Sequence, residues 1–366
     1  MPGLQTPLNA LLGIRFPIIQ APMAGGPSTP ALVAAVSGAG ALGSFGHAYT
    51  SPAVMRSDAA AVRAVTDRPF MINLFAAPDA VTPPETEQAA AIAAVANYYA
   101  NFGLSAPATL KGPFSPNFLE QLAAVEDIRP AVLTVHLGEL PLERIQKFKA
   151  HGIRIGASAT CVAEAKRAEA LGLDFIVAQG GEAGGHRGSY LRDAYESLTG
   201  TLALVRMLVR AVRTPIVAAG GIMDGAGIAA VLALGAQAAQ LGTAFLPTPE
   251  SGAARIHKAT LLEESEDTTV ITEKFSGKPA RGLNNRFIRE MAARDAPQLP
   301  FPIQSSLTGP LRGASAKADD PDYLAMWAGQ AAALSRAMPA AELVRTLVAE
   351  THETIARLNQ LTKDTA

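Results

Sequence analysis

The sequence predicts an α/β protein built on a parallel (β/α)8 TIM barrel, and three observations carry that expectation. Eight short apolar runs recur along the chain, stretches of helical periodicity lie between them, and glycine punctuates the handovers from one to the next. Runs that stay apolar at successive positions fit strands buried on both faces, as in a parallel sheet covered by helices. A doubly wound open sheet is the alternative architecture, and the strand count favours the barrel.

In chain order the runs are PIIQAPM (17–23), ALGSFG (41–46), FMINLF (70–75), AVLTVHLG (131–138), RIGASAT (154–160), FIVAQG (175–180), PIVAAG (215–220) and AQAAQLGT (236–243). Segments such as CVAEAKRAEALG and GAGIAAVLALG read as helices closed by a C-terminal glycine. Two regions leave this rhythm. Residues 76–116, which hold the turn-rich AAPDAVTPPETE and a predicted helix QAAAIAAVANYYANFG, and residues 251–340 are assigned to a smaller, mostly helical second domain. The barrel takes residues 8–75 and 117–250, and residues 341–366 form a C-terminal helix and tail expected to pack back on the barrel or to meet another subunit.

Composition sets the surroundings. The chain has 366 residues, is 49% apolar and 17% charged, and carries a net charge of −1. It lacks a basic cluster that would attract nucleic acid or a membrane surface, and no apolar run approaches the ~20 residues of a membrane span. The lone Cys161 excludes an internal disulfide framework, and the N-terminus lacks the pattern of a secretory signal. A reducing cytoplasm is the expected location, and the oligomeric state is left open.

In such a barrel the reacting groups stand at the C-terminal strand ends. Those positions carry Gln20, Ser44, Asn73, His136, Thr160 and Gln179, with His186 in the glycine-rich loop GGEAGGHRG beyond. Asp and Glu are missing from these strand ends, which disfavours a paired-carboxylate glycosidase and a divalent-metal lyase; no metal site is expected. Without a strand lysine, a Schiff base is disfavoured too. Neutral amides around one or two histidines suit a large uncharged heterocycle, a flavin being the obvious candidate. Gly220 and Gly221, then Gly242 and Thr243, follow the last two strands where barrels of this kind hold a phosphate. No GxGxxG follows the first strand, so dinucleotide binding in the Rossmann manner has no support.

Taken together, PIIQAPMAGGPSTPALVAAVSGAGALGSFG, FMINLF, VAQGGEAGGHRG, VAAGGIMDGAGIAAVLALGAQAAQLGTAFL and YLAMWAGQ resemble the nitronate monooxygenase family, formerly 2-nitropropane dioxygenases, in its bacterial-type first class. The resemblance runs from about residue 8 to 335. It implies an FMN-dependent barrel that oxidises alkyl nitronates, such as propionate 3-nitronate, with O2 to a carbonyl compound and nitrite. Carried over by motif, it implies flavin contacts at Gln20, Ala21, Pro22, Met23, Asn73, Gln179, Gly184, Gly220, Gly221, Gln240, Leu241, Gly242 and Thr243, with His186 as the active-site histidine.

His136 is the second catalytic candidate, from its place at the end of the fourth strand. His186 is expected either to donate a hydrogen bond or positive charge to nitro oxygens, or to remove an α-proton from a neutral nitroalkane. Phe301 departs from the resemblance, since the family often has a tyrosine there. Cys161 is read as a packing residue, Arg187 as a loop anchor, and Tyr323 and Trp327 as packing the second lobe against the barrel mouth or walling the substrate pocket. His47 is placed at the rim; His151, His257 and His352 are expected to face solvent. The alternative enzyme reading is an NAD(P)H-dependent FMN reductase of the quinone or enoyl-ACP type, and the non-enzymatic one a flavin-binding barrel without turnover.

Overall fold

A computed structural model describes residues 4–77 and 80–361; residues 1–3, Pro78 and Asp79 of the predicted turn, and residues 362–366 of the predicted tail lie outside the described residues. The strands are β1 (Ile18–Gln20), β2 (Gly43–Gly46), β3 (Phe70–Phe75), β4 (Val132–His136), β5 (Arg154–Ala159), β6 (Phe175–Gln179), β7 (Gly185–His186), β8 (Ile216–Ala219), β9 (Ala238–Leu241), β10 (Thr269–Thr272) and β11 (Ala280–Leu283). Each of the eight apolar runs contains one strand of a parallel sheet ordered β1-β9-β8-β6-β5-β4-β3-β2. Backbone bonds from Gln20 N to Leu42 O (2.9 Å) and from Leu42 N to Ile18 O (3.0 Å) join β1 to the start of β2 and close the barrel.

Strand periodicity sorts the side chains into two layers. Met71, Val132, Phe175, Val177 and Val217 pack in the barrel interior with Ile19 and Leu42, and with Leu8 and Leu12 of the helix Pro7–Leu12. Gly156 makes room for that filling, because a Cβ there would sit 2.5 Å from the Phe175 ring. The alternate positions, among them Ile72, Leu133, Ile155, Ile176 and Ala218, belong to the layer between strands and surrounding helices. Burying these apolar side chains on both faces is the main stabilising contribution. Leu343, Val344, Leu347 and Val348 of the helix Ala340–Gln360 join the same layer, so that helix packs on the barrel.

A second apolar cluster gathers Val95, Tyr98, Phe275, Phe287, Leu299, Ile303 and Leu307, from the 76–116 insertion and the segment after β9. Its helices Glu85–Asn101, Arg286–Ala292 and Ile303–Lys317 agree with the helical expectation. The structure adds a three-stranded antiparallel sheet, β10-β11-β7, which sequence reading did not anticipate. Its strands are only two to four residues long, and β7 lies in a glycine-rich loop, so no periodic pattern marks them. Among the described residues no helix is long and apolar enough to cross a membrane.

Candidate active site

A cavity of about 880 Å³ opens at the C-terminal ends of the barrel strands, roofed by the second cluster. Ala21, Pro22, Met23, Asn73, Gln179, Gly184, Gly220, Gly221, Gln240, Gly242 and Thr243 line it together with His136 and His186. Two residues of the sequence-based set do not line it. Leu241 faces the strand–helix layer, and Gln20 is consumed by strand closure: its Oε1 accepts from Ser44 N at 2.9 Å and its Nε2 donates toward Ser28 Oγ at 3.3 Å. Among the described residues the lining contains no Asp or Glu, and no group of His, Cys, Asp and Glu is arranged to hold a metal ion.

His186 reaches the cavity because β7 pairs with β11, with Ala280 opposite His186 and Arg281 opposite Gly185. Successive strand residues face opposite ways, so Arg187 turns from the cavity into the loop. There it is fully buried and donates to the carbonyls of Gly180 (2.6 Å), Gln179 (3.0 Å) and Ser197 (2.8 Å), the anchoring expected of it. Gly184 fixes the loop's height: a Cβ on it would lie 2.6 Å from the main-chain carbon of Ala328.

The His186 ring is ringed by aromatics, its centroid 5.7 Å from Phe75, 5.5 Å from Phe301 and 5.6 Å from Trp327. Its Nε2 lies 2.9 Å from Ser276 Oγ, whose hydroxyl donates to Lys278 O at 3.0 Å. With that hydroxyl proton committed, Nε2 is the protonated nitrogen and Nδ1 carries the lone pair. Burial, then the nearby His136, Lys278 and Arg312, push the His186 pKa down to about 3, so the free site holds a neutral imidazole.

His136 is also neutral, pushed down to about 4 mainly by burial. Its Nε2 donates to His186 O at 3.1 Å, leaving Nδ1 to accept from Ser158 Oγ at 2.7 Å. Gln179 braces the same loop from both ends of its amide: Nε2 donates to His186 O at 2.9 Å and Oε1 accepts from Gly188 N at 2.7 Å. Both side chains line the cavity while their polar atoms hold the loop that carries His186. Ser158 and Ser276, which complete this network, have no sequence signal, since their partners lie far along the chain.

Three other histidines settle differently. His257 corrects the expectation of solvent exposure: it is buried, lines the cavity, and is pushed down to about 4 by burial, with its ring meeting the backbone of Trp327 rather than solvent. His47 is buried in a stack on Phe45, with centroids 4.7 Å apart, and does not line the cavity. His151 is exposed. Cys161 is a buried N-cap of the helix Val162–Ala170, in keeping with a packing role.

The lining fits a flavin on two observations. Gln240 presents a buried side-chain Oε1 without a hydrogen-bond partner, the kind of acceptor that a ring N–H would satisfy. Gly220, Gly221 and Gly242 line the cavity wall beside Thr243, whose Oγ1 already accepts from Gly329 N at 3.0 Å and so keeps its own proton to donate.

Comparison with known proteins agrees in fold and in chain length. The family model described as Nitronate monooxygenase matches residues 5–350. The nitronate monooxygenase of Pseudomonas aeruginosa is 44% identical over 344 residues, 93% of this chain and 97% of that protein. The structure of a nitroalkane oxidase from Streptomyces ansochromogenes superposes with a TM-score of 0.88 at 39% identity, covering 96% of this chain and 100% of that one. FabK from Thermotoga maritima is more distant, with a TM-score of 0.76 at 28% identity over 98% of this chain and 99% of that one. A full-length match to the family model, joined to a relative of this identity, shows that the chain belongs to the nitronate monooxygenase family.

Proposed function

We propose that this protein is a flavin-dependent oxidoreductase that binds FMN and oxidises alkyl nitronates with O2 to a carbonyl compound and nitrite. The observation that carries the reading is His186, held in a carboxylate-free cavity beside a wall suited to a flavin. A bound flavin, which Gln240, Thr243 and the glycines beside them would hold, would supply the redox chemistry between the nitronate and O2. The barrel residues 8–75 and 117–250 hold the cofactor in this reading, and residues 76–116 and 251–340 close the substrate side. The buried lone Cys161 is consistent with a reducing cytoplasm.

The chain's own residues position and charge the substrate. An anion beside His186 stabilises the protonated ring, so a nitronate raises the imidazole pKa, and the protonated form offers Nδ1 as a donor to a nitro oxygen. For a neutral nitroalkane the unprotonated Nδ1 is instead the acceptor of the α-proton. Phe75 and Trp327 exclude water from one side, which strengthens either interaction. The test is an anaerobic absorbance spectrum of the FMN-loaded protein. Propionate 3-nitronate is expected to bleach the flavin, and admitting O2 to restore it. A flavin left unchanged by the nitronate but bleached by NADH or NADPH would overturn the reading in favour of the reductase alternative.

A further inference from the structure

The loop that carries His186 contains one carboxylate, Glu182, four residues before the histidine in GGEAGGHRG. Glu182 does not itself line the cavity. Its side chain turns instead to the N-terminus of the helix Thr201–Ala211, whose N-cap residue, Gly200, has no side chain to offer. Glu182 Oε1 and Oε2 accept from Thr201 N at 2.9 and 2.7 Å, and Oε2 also accepts from Thr201 Oγ1 at 2.7 Å. A carboxylate there satisfies a donor that the helix leaves open and favours the positive end of its dipole.

The same residue is tied to both turns suited to a phosphate. Thr201 Oγ1 lies 3.0 Å from Gly220 O, in the turn after β8, so one hydroxyl joins Glu182 to that turn. On its other side the main-chain oxygen of Glu182 accepts from Gln330 N at 3.0 Å, and the neighbouring Gly329 N donates to Thr243 Oγ1 after β9. Gly329 and Gln330 end the YLAMWAGQ motif and approach the loop closely: a Cβ on Gly329 would lie 2.8 Å from Glu182 O. Glu182 is thus the point at which the loop is fastened to the ends of β8 and β9 together, with only Ala183, Gly184 and Gly185 between it and His186.

We propose that Glu182 is a positioning residue, which sets where His186 stands over the cofactor wall through the reach of its side chain rather than through its charge. The inference rests on the nitronate reading above. Charge is the lesser part because the two guanidiniums that feel Glu182 each have another carboxylate, Glu164 for Arg187 and Asp267 for Arg281. Reach decides because a side chain one methylene shorter can hold Thr201 only by drawing the loop after it. Misplacing a reacting group by about 1 Å can cost about 10²-fold in rate.

The experiment compares Glu182→Gln with Glu182→Asp, both loaded with FMN, and expresses turnover of propionate 3-nitronate per bound flavin. An amide of full length keeps both contacts: its oxygen accepts from Thr201 N, its N–H donates to Thr201 Oγ1, and that hydroxyl gives its own proton to Gly220 O. Glu182→Gln should therefore lose less than about threefold in kcat, and Glu182→Asp, which keeps the charge, roughly 10-fold or more, with KM within about twofold in both. A loss in Glu182→Gln as large as in Glu182→Asp would make charge the decisive property. An unchanged kcat in Glu182→Asp would make the residue structural only, and a loss confined to KM would make it a substrate contact. Each of these overturns the proposal.

A second readout does not depend on turnover. His186 Nε2 holds its proton against Ser276 Oγ at 2.9 Å, so nitrogen NMR of isotope-labelled histidine should show a single tautomer for His186, identified by its disappearance in His186→Asn. That signature should persist in Glu182→Gln and give way to averaged tautomers in Glu182→Asp, where the ring leaves Ser276, even if no nitronate is oxidised. Its persistence in Glu182→Asp, or its loss in both variants, would overturn the proposal. The expected pattern in a protein that does not turn over nitronate would overturn only the reaction assigned above.

Discussion

His136 Nε2 and the main-chain oxygen of His186 are 3.1 Å apart, so the second histidine of the cavity holds the first by its backbone. Gln179 Nε2 holds the same oxygen at 2.9 Å. Either donor alone satisfies the carbonyl. His136→Ala or Gln179→Ala should each cost about 1 kcal/mol in chemical denaturation, and the double variant clearly more than the sum, because only then is a buried carbonyl left unpaired. Strict additivity would mean that the two donors do not share the load.

Replacing His186 by Asn keeps a polar group of similar reach but removes the titratable ring. FMN content should be unchanged while nitronate turnover falls roughly 10²-fold or more, as measured by steady-state oxygen consumption. Wild-type turnover in the variant would remove His186 from the chemistry.

Gln240 offers a case in which stability and binding move in opposite directions. Its Oε1 is buried without a partner, so Gln240→Leu should stabilise the flavin-free protein, by about 1 kcal/mol, while loosening the flavin. Thermal unfolding of the apoprotein and a flavin titration read the two effects separately; tighter flavin binding in the variant would contradict this role.

Acid should unfold the protein early. Burial pushes His47, His136 and His257 down to about 4 and His186 to about 3, whereas unfolded imidazoles titrate near ~6.5. Between those values the unfolded chain binds more protons, so this contribution to stability is complete above about pH 6.5 and is lost as pH falls toward 4. Unfolding monitored by circular dichroism should show a midpoint temperature dropping steeply below about pH 6, with proton uptake on unfolding. A flat profile over that range would mean that the rings are not buried neutral in solution.

Much of this was legible in the sequence because the barrel repeats one local pattern. FMINLF and FIVAQG announce strands by composition alone, and each of the eight barrel strands lies inside a predicted run. His186 stood out through its setting among glycines, and Arg187 was correctly read as an anchor. Sequence reasoning failed where a residue's role depends on a distant partner. Ser276 meets His186 across 90 positions, Gln20 turns from the cavity to bind Ser44 across 24, and His257 is buried where its ring meets the backbone of Trp327 on a different segment.

The pairing of β7 with β11 sets an order on biosynthesis. Every barrel strand has been translated by Leu241, yet His186 has no strand to pair with until Ala280 and Arg281 have followed, and the roof helix Ile303–Lys317 comes later still. A nascent chain released after residue 250 would thus carry a complete set of barrel strands around an unfinished site.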